Sequence, residues 1–205
     1  EWIKRGFSIS PISLPLSDKI YINDKLTFGG LYGVFWDSLP DGWGELLVRR
    51  MLNKFGINFD RLSPLQRLYI INKNGLGALE YEPNKSLETV NTNYNLDRIA
   101  EEAEKILNDE VEGVDLDMVF NLGGSSGGAR PKAHIICFDG EWIVKFPCAI
   151  DPEAIGKKEF VANKLAKDCG INVNEFRLFD SKICSGSFGS KRFDRIGGKK
   201  LHMIS

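Results

Sequence analysis

Past Pro40 the chain acquires a clear period. Trp43, Leu46, Leu47, Met51 and Phe55 recur at three- and four-residue spacing, which predicts an amphipathic helix that Gly56 ends. Ser63-Pro64 opens a second, shorter helix with Leu65, Leu68 and Ile71 on one face; Asn74-Gly75 and Gly77 break it, and Leu79 to Pro83 reads as a strand. Upstream, residues 1 to about 35 carry short apolar runs between Ser10-Pro11, Leu14-Pro15, Asn23-Asp24 and Gly29-Gly30, a pattern that predicts irregular strands. Residues 84–95 are polar and read as a linker. Beyond them Leu96, Ile99, Ala100, Ala103, Ile106 and Leu107 trace a helix with Asn95 as its cap, followed by an acidic connection over 108–121. A β-hairpin with Asp139-Gly140 at its tip comes next. Asp151-Pro152-Glu153 then starts a helix that Gly170 ends, and two β-like runs follow, Phe176 to Phe179 and Phe188 to Phe193. These elements predict an α+β protein of two parts, residues 1–83 and 84–205.

The hairpin and the helix after it carry the candidate chemistry. In the predicted helix Ile155, Ala162, Leu165, Ala166 and Cys169 share an apolar face, and Glu159 falls on it. A carboxylate on such a face needs a cationic partner, because leaving it unpaired costs several kcal/mol. Lys145, set among Trp142, Ile143, Val144 and Phe146 on a strand, is the natural one. Upstream lies Gly123-Gly124-Ser125-Ser126-Gly127-Gly128, whose glycines leave backbone N–H groups free to close on phosphate oxygens. A glycine loop, a strand lysine and a helix glutamate in that order form the phosphate clamp of protein kinases. The loop is not a Walker motif, since no Gly-Lys-Ser/Thr follows and the chain enters a strand. Lys132 and Arg130 at the loop exit are further phosphate candidates. Phosphorylation of a loop serine would put negative charge where nucleotide phosphates sit and switch binding off. Phe138-Asp139-Gly140 has the wrong residue order and place for a metal-binding Asp-Phe-Gly and reads as a turn.

Composition narrows the picture. The net charge of −1 over 205 residues supplies no basic field for nucleic acid. The four cysteines form no Cys-x-x-Cys pair and there are only two histidines, so the cysteines read as reduced core thiols of a cytoplasmic protein without a zinc site. No stretch approaches the roughly 20 apolar residues of a membrane span. The first residue is Glu1 and the last five are mostly apolar, which reads as a fragment of a longer protein.

In these residues the chain resembles the HipA family of toxin kinases from type II toxin–antitoxin systems. The resemblance rests on Ser10-Pro11 with Leu14-Pro15-Leu16, Phe35 to Trp43, Leu76 to Pro83, Gly123 to Ala133, Trp142 to Pro147, Glu159 with Leu165-Ala166, Gly170-Ile171, and Arg192-Phe193-Asp194-Arg195. It implies a Ser/Thr protein kinase with an N-terminal mixed β/helix subdomain that engages the antitoxin, then a kinase-like N-lobe of antiparallel sheet and one main helix. A helical C-lobe would follow. By similarity Ser125 matches an autophosphorylated serine. Ser126, Gly127, Gly128, Ala129, Lys132, Lys145 and Glu159 match the ATP phosphate site, and Lys191 to Phe193 the hinge behind the adenine. The implied partners are a HipB-like antitoxin, DNA only through that antitoxin, and a translation factor such as an aminoacyl-tRNA synthetase as substrate. The catalytic-loop aspartate and the Asp-Phe-Gly aspartate, with the Mg²⁺ they hold, have no counterpart here, so the chain by itself is expected not to transfer phosphate. The alternative is a non-catalytic partner-binding module on the same fold.

Overall fold

The computed structural model describes residues 2–71, 75–82, 95–110, 112–124, 127–152 and 154–203. Within them the fold is α+β. Helices α1 (Trp2–Arg5), α2 (Gly33–Trp36), α3 (Gly42–Lys54), α4 (Pro64–Leu68), α5 (Leu96–Leu107) and α6 (Leu116–Gly123) precede a hairpin, β1 (Lys132–Cys137) and β2 (Gly140–Lys145). Helix α7 (Ile155–Asp168) leads to β3 (Phe176–Phe179) and β4 (Ser187–Lys191), and a short ribbon, β5 (Arg195–Ile196) and β6 (Lys199–Lys200), follows. Strands β1, β2, β4 and β3 lie in that order in one antiparallel sheet.

Strand alternation gives the sheet two unlike faces. Ala133, Ile135, Trp142 and Val144 point one way and bury against Ile99 and Ala100 of α5. One turn further along α5, Ala103 and Ile106 enter a second core with Trp43, Leu47 and Met51 of α3 and Val119 and Phe120 of α6. A single twelve-residue helix therefore serves both cores. The predicted caps explain where these helices begin: Asn95 accepts the Arg98 N–H, and Ser63 with Gln66 closes a capping box on α4.

Several expectations are corrected. Residues 2–35 form no strand among the described residues: α1, α2 and a 3-10 turn occupy them, with one isolated bridge between Ser10 and Leu14. The turn chemistry was legible, but the runs between turns are too short to build a ladder. Leu79–Glu82 is not a strand either; Tyr81 instead donates its hydroxyl to Ser38 at 2.7 Å. The connection over 108–121 contains α6, capped by Asp115; the acids before it and Asp117 within it obscured the helical spacing of Leu116, Val119 and Phe120. The hairpin turn is Phe138-Asp139, with Gly140 already paired to Cys137, because the Asp139 carboxylate is anchored by the Trp142 indole at 3.0 Å and by Arg177. Helix α7 starts at Ile155, not at Asp151; the Asp151 carboxylate accepts from the Cys148 N–H and from Arg130. The predicted core cysteines are half-buried or, at Cys169, exposed. Asn74, Pro83, the linker over 84–94 and Glu153 lie outside the described residues.

The face that α7 presents is also rotated from expectation. Leu165, Ala162 and Cys169 face solvent, while Gly156 is buried and Glu159, Phe160 and Asn163 are half-buried. Gly156 decides the register: a Cβ there would lie 2.1 Å from the Gly186 carbonyl oxygen, so only glycine lets the helix reach β4. A search for apolar spacing passes over a glycine contact. Phe160 then stacks edge-on against Phe176 at 5.3 Å. Gly156→Ala is expected to lower stability by about 2–3 kcal/mol despite the better helix propensity of alanine, read from the urea midpoint.

Candidate functional site

The β1–β2 register sets Lys132 directly opposite Lys145 on the sheet face turned away from α5. Lys145 also pairs with Phe188 of β4, and its ammonium lies 5.6 Å from that ring. Across the margin of α7, Glu159 accepts a hydrogen bond from the Lys145 ammonium. Both side chains stay about one-third exposed, at 36% and 30%, which places the pair at the partly exposed surface and not in a core. Lys132 donates to the carbonyls of Gly127 at 2.5 Å and Gly128 at 3.2 Å. Burial, and secondly the positive charge of Lys145, push the Lys132 ammonium down to about 8, against the opposing pull of Asp41.

The glycine loop is tied to the first part of the chain. Gly128 takes φ +80° and donates its N–H to the Asp41 carboxylate, while its carbonyl accepts the Trp43 N–H at 2.9 Å. The buried Trp43 indole donates to the Lys132 carbonyl at 3.2 Å. Gly42 makes this approach possible: at φ +44° it lies so close that a Cβ would meet the Gly128 oxygen at 2.7 Å and the Ala129 Cα at 2.9 Å. Arg130 is engaged elsewhere, ion-paired to the nearly buried Asp151. Burial pushes the Asp151 carboxyl up, but the Cys148 thiol and N–H and the Arg130 guanidinium outweigh it and hold it below the usual range.

Gly127, Gly128, Ala129, Lys132, Lys145 and Glu159 thus gather around one edge of the sheet. Lys191 does not join them. It lies opposite Trp142 on the other sheet face, 5.9 Å from that indole and ion-paired to Glu175 at 2.8 Å, and its main-chain N–H is donated to the Glu175 carbonyl. Phe193 is 54% exposed at the strand end. Ser125 and Ser126 lie outside the described residues. Among the described residues no group of three or more His, Cys, Asp or Glu side chains converges as a metal site. A cavity of about 290 Å³ borders the loop, lined by Trp36, Pro40, Asp41, Phe59, Gly124 and Gly127 among others.

Two matches decide the family. Residues 1–82 match the model described as HipA N-terminal domain, and residues 124–205 the model described as HipA-like C-terminal domain. The chain belongs to the HipA family. A comparison with curated proteins gives no match. No helix among the described residues is long and apolar enough to cross a membrane.

Between the two matched segments of this HipA chain lie α5 and α6, the helices that carry both cores. The segments also meet through a buried hub missed in the sequence except as part of a family pattern. Arg192, with no side-chain exposure, grips Asp194 through two nitrogens at 2.9 and 2.7 Å, and Arg195 adds a third contact at 2.8 Å. The hub reaches back to the N-terminal part: Arg192 and Arg195 donate to the Gly75 carbonyl at 2.9 and 2.7 Å, and Asp194 accepts the Gly77 N–H at 2.9 Å. Burial pushes the Asp194 carboxyl up, yet Arg192, the Gly77 N–H and Arg195 together hold it below the usual range. Asp41, the other residue missed, gave no signal beyond its place before Gly42-Trp43.

Asp194→Ala is expected to cost about 3–5 kcal/mol in urea unfolding, because it removes the hydrogen-bonded carboxylate of two buried guanidinium groups and leaves them the more distant Glu141 carboxylate, at 3.9 and 3.6 Å. Lys132 is expected to titrate near 8 in the ¹³C spectrum of the reductively methylated protein, and higher once Lys145→Met removes the neighbouring charge. The sign for stability follows. Its folded value lies below the ordinary 10.5, so the unfolded chain holds more protons between those two values and the contribution of Lys132 to stability rises with pH across that window. A Lys132 midpoint in the ordinary lysine range would contradict this environment.

Proposed function

We propose that this HipA-family chain holds ATP for a Ser/Thr protein kinase, with the triphosphate gripped between the glycine loop and the two lysines of the hairpin. The observation that carries this reading is the Lys145–Glu159 ion pair: a strand lysine met by a helix carboxylate, opposite Lys132, which itself bonds the loop carbonyls. The residues suit a polyanion. Two ammonium groups stand opposite each other where like charges repel, and an anion between them would relieve that repulsion. ATP supplies the γ-phosphoryl group; the chain's own part is to bind and orient it. Transfer needs a catalytic-loop aspartate and Mg²⁺ ligands that these residues do not include, so the chain by itself is proposed to bind without transferring.

The N-terminal segment favours a partner-binding role beside this one. Ile12, Ile20, Ile22 and Leu26 are 81, 89, 80 and 91% exposed, an apolar display that suits a protein partner. We assign that role to a HipB-like antitoxin, with DNA reached only through it, and a translation factor such as an aminoacyl-tRNA synthetase as the protein substrate. The non-catalytic module is the competing reading, and ATP titration separates the two. By calorimetry Lys145→Ala should weaken ATP at least about tenfold, the loss of one charge-assisted contact, and Glu159→Gln less. The 205-residue chain should incorporate no labelled phosphate. A chain that binds no ATP would leave the partner-binding module.

A further inference from the structure

Asp41 stands where a helix cap is expected and does not act as one. It is the residue before α3, with extended backbone at φ −123° and ψ 173°, from which an aspartate ordinarily accepts the N–H of the second or third helical residue. No such bond forms. Its carboxylate turns the other way and accepts the Gly128 N–H. The same oxygen lies 3.2 Å from where a Cβ of Gly127 would be, so it sits against both glycines of the loop. Asp41 is exposed to solvent, and its negative charge is felt at Lys132. The lysine in turn is committed to the loop's own carbonyls, Gly127 and Gly128.

Backbone N–H groups of a glycine loop are the donors that grip phosphate. Here one of them is already given to an anion that belongs to the protein. We propose that the Asp41 carboxylate is an internal stand-in for a phosphate oxygen, so that closing the loop on a nucleotide requires Asp41 to release the Gly128 N–H. This rests on the nucleotide reading above and adds to it a regulatory residue contributed by the N-terminal part of the chain. Exchange of one charged acceptor for another is cheap in solvent, and a carboxylate at an exposed position leaves without uncovering a buried group. The segment that holds Asp41, between Pro40 and Trp43, thereby sets how readily the loop accepts phosphate; a partner that drew it away would raise nucleotide affinity.

The test compares ATP with adenosine, which has the base and ribose but no phosphate, by calorimetry on the wild-type chain, Asp41→Asn, Asp41→Ala and Lys145→Ala. Asp41→Asn and Asp41→Ala should bind ATP up to about tenfold more tightly and adenosine within about twofold of wild type, the size expected for removing one charged competitor. Unchanged or weaker ATP binding in both variants overturns the inference, as does an equal gain for adenosine, which would mark a general effect on the loop. A wild-type measurement needs no variant to fold: the Asp41 carboxyl ¹³C resonance should move on adding ATP and stay in place on adding adenosine. No movement at ATP saturation overturns the inference as well. If wild type binds ATP and Lys145→Ala loses it, the nucleotide reading survives whichever way Asp41 behaves. If neither wild type nor any variant binds ATP, that reading falls and this inference with it.

Discussion

Two ammonium groups stand opposite one another on adjacent strands, and the surroundings are arranged so that the sheet tolerates them. Directly opposed like charges weaken a β-pair, and the hairpin register leaves Lys132 and Lys145 no choice of neighbour. Each is given a different remedy. Lys145 is met by a carboxylate from α7, and Lys132 is turned into the loop, where two main-chain carbonyls receive it. Burial first, and the charge of Lys145 second, leave Lys132 with a depressed proton affinity. An arrangement that concentrates positive charge and then only partly offsets it stores electrostatic work that an incoming anion can recover.

The rest of the fold holds these groups in register. The sheet is a platform because Ile99 and Ala100 of α5 pack on its opposite face with Met118 and Leu122 of α6, and the same α5 helix packs against α3 and α6 in the second core. The loop touches α3 through Gly42 and Trp43, so the site is built from both matched segments of the chain. The Arg192–Asp194–Arg195 hub repeats that strategy at the other end of β4, where it takes hold of the main chain at Gly75 and Gly77. A buried ionic cluster of this kind contributes little net stability over an apolar substitute, but it specifies one geometry, since each guanidinium finds full hydrogen bonding only there.

How much of this was legible in the sequence depended on the kind of signal. Spacing of large apolar residues located α3 and α5, and cap chemistry at Ser63 and Asn95 placed two helix starts, because those are local effects that propensity reports faithfully. The pairing of Lys145 with Glu159 followed from the need to satisfy two charges, even though the face on which Glu159 sits was drawn with the wrong companions. That error has a cause. Gly156 replaces a side chain as the contact, and a glycine packed against backbone leaves no mark in a hydrophobic pattern. Helix α6 was hidden by the run of acids that leads into it, Asp109, Glu110, Glu112 and Asp115. The N-terminal segment misled because many of the apolar residues in its short runs, Ile12, Ile20, Ile22 and Leu26 among them, are displayed outward and report no core.

Asp41 belongs to a further class, that of residues whose local context argues for one role while the fold assigns another. Read locally, an aspartate before a glycine and a tryptophan at a helix start is a cap. In the fold, Gly42 at positive φ brings the Gly128–Ala129 main chain against the start of α3, and the loop's N–H becomes a better partner than the helix's own. The helix can spare the cap because its first turn is held from outside: the Trp43 N–H is taken by the Gly128 carbonyl, and the indole by Lys132. The donors that an N-terminal turn ordinarily leaves unsatisfied are thus partly met by the loop itself. Helix start and glycine loop share one set of hydrogen bonds, and a change in either is carried to the other without any intervening element.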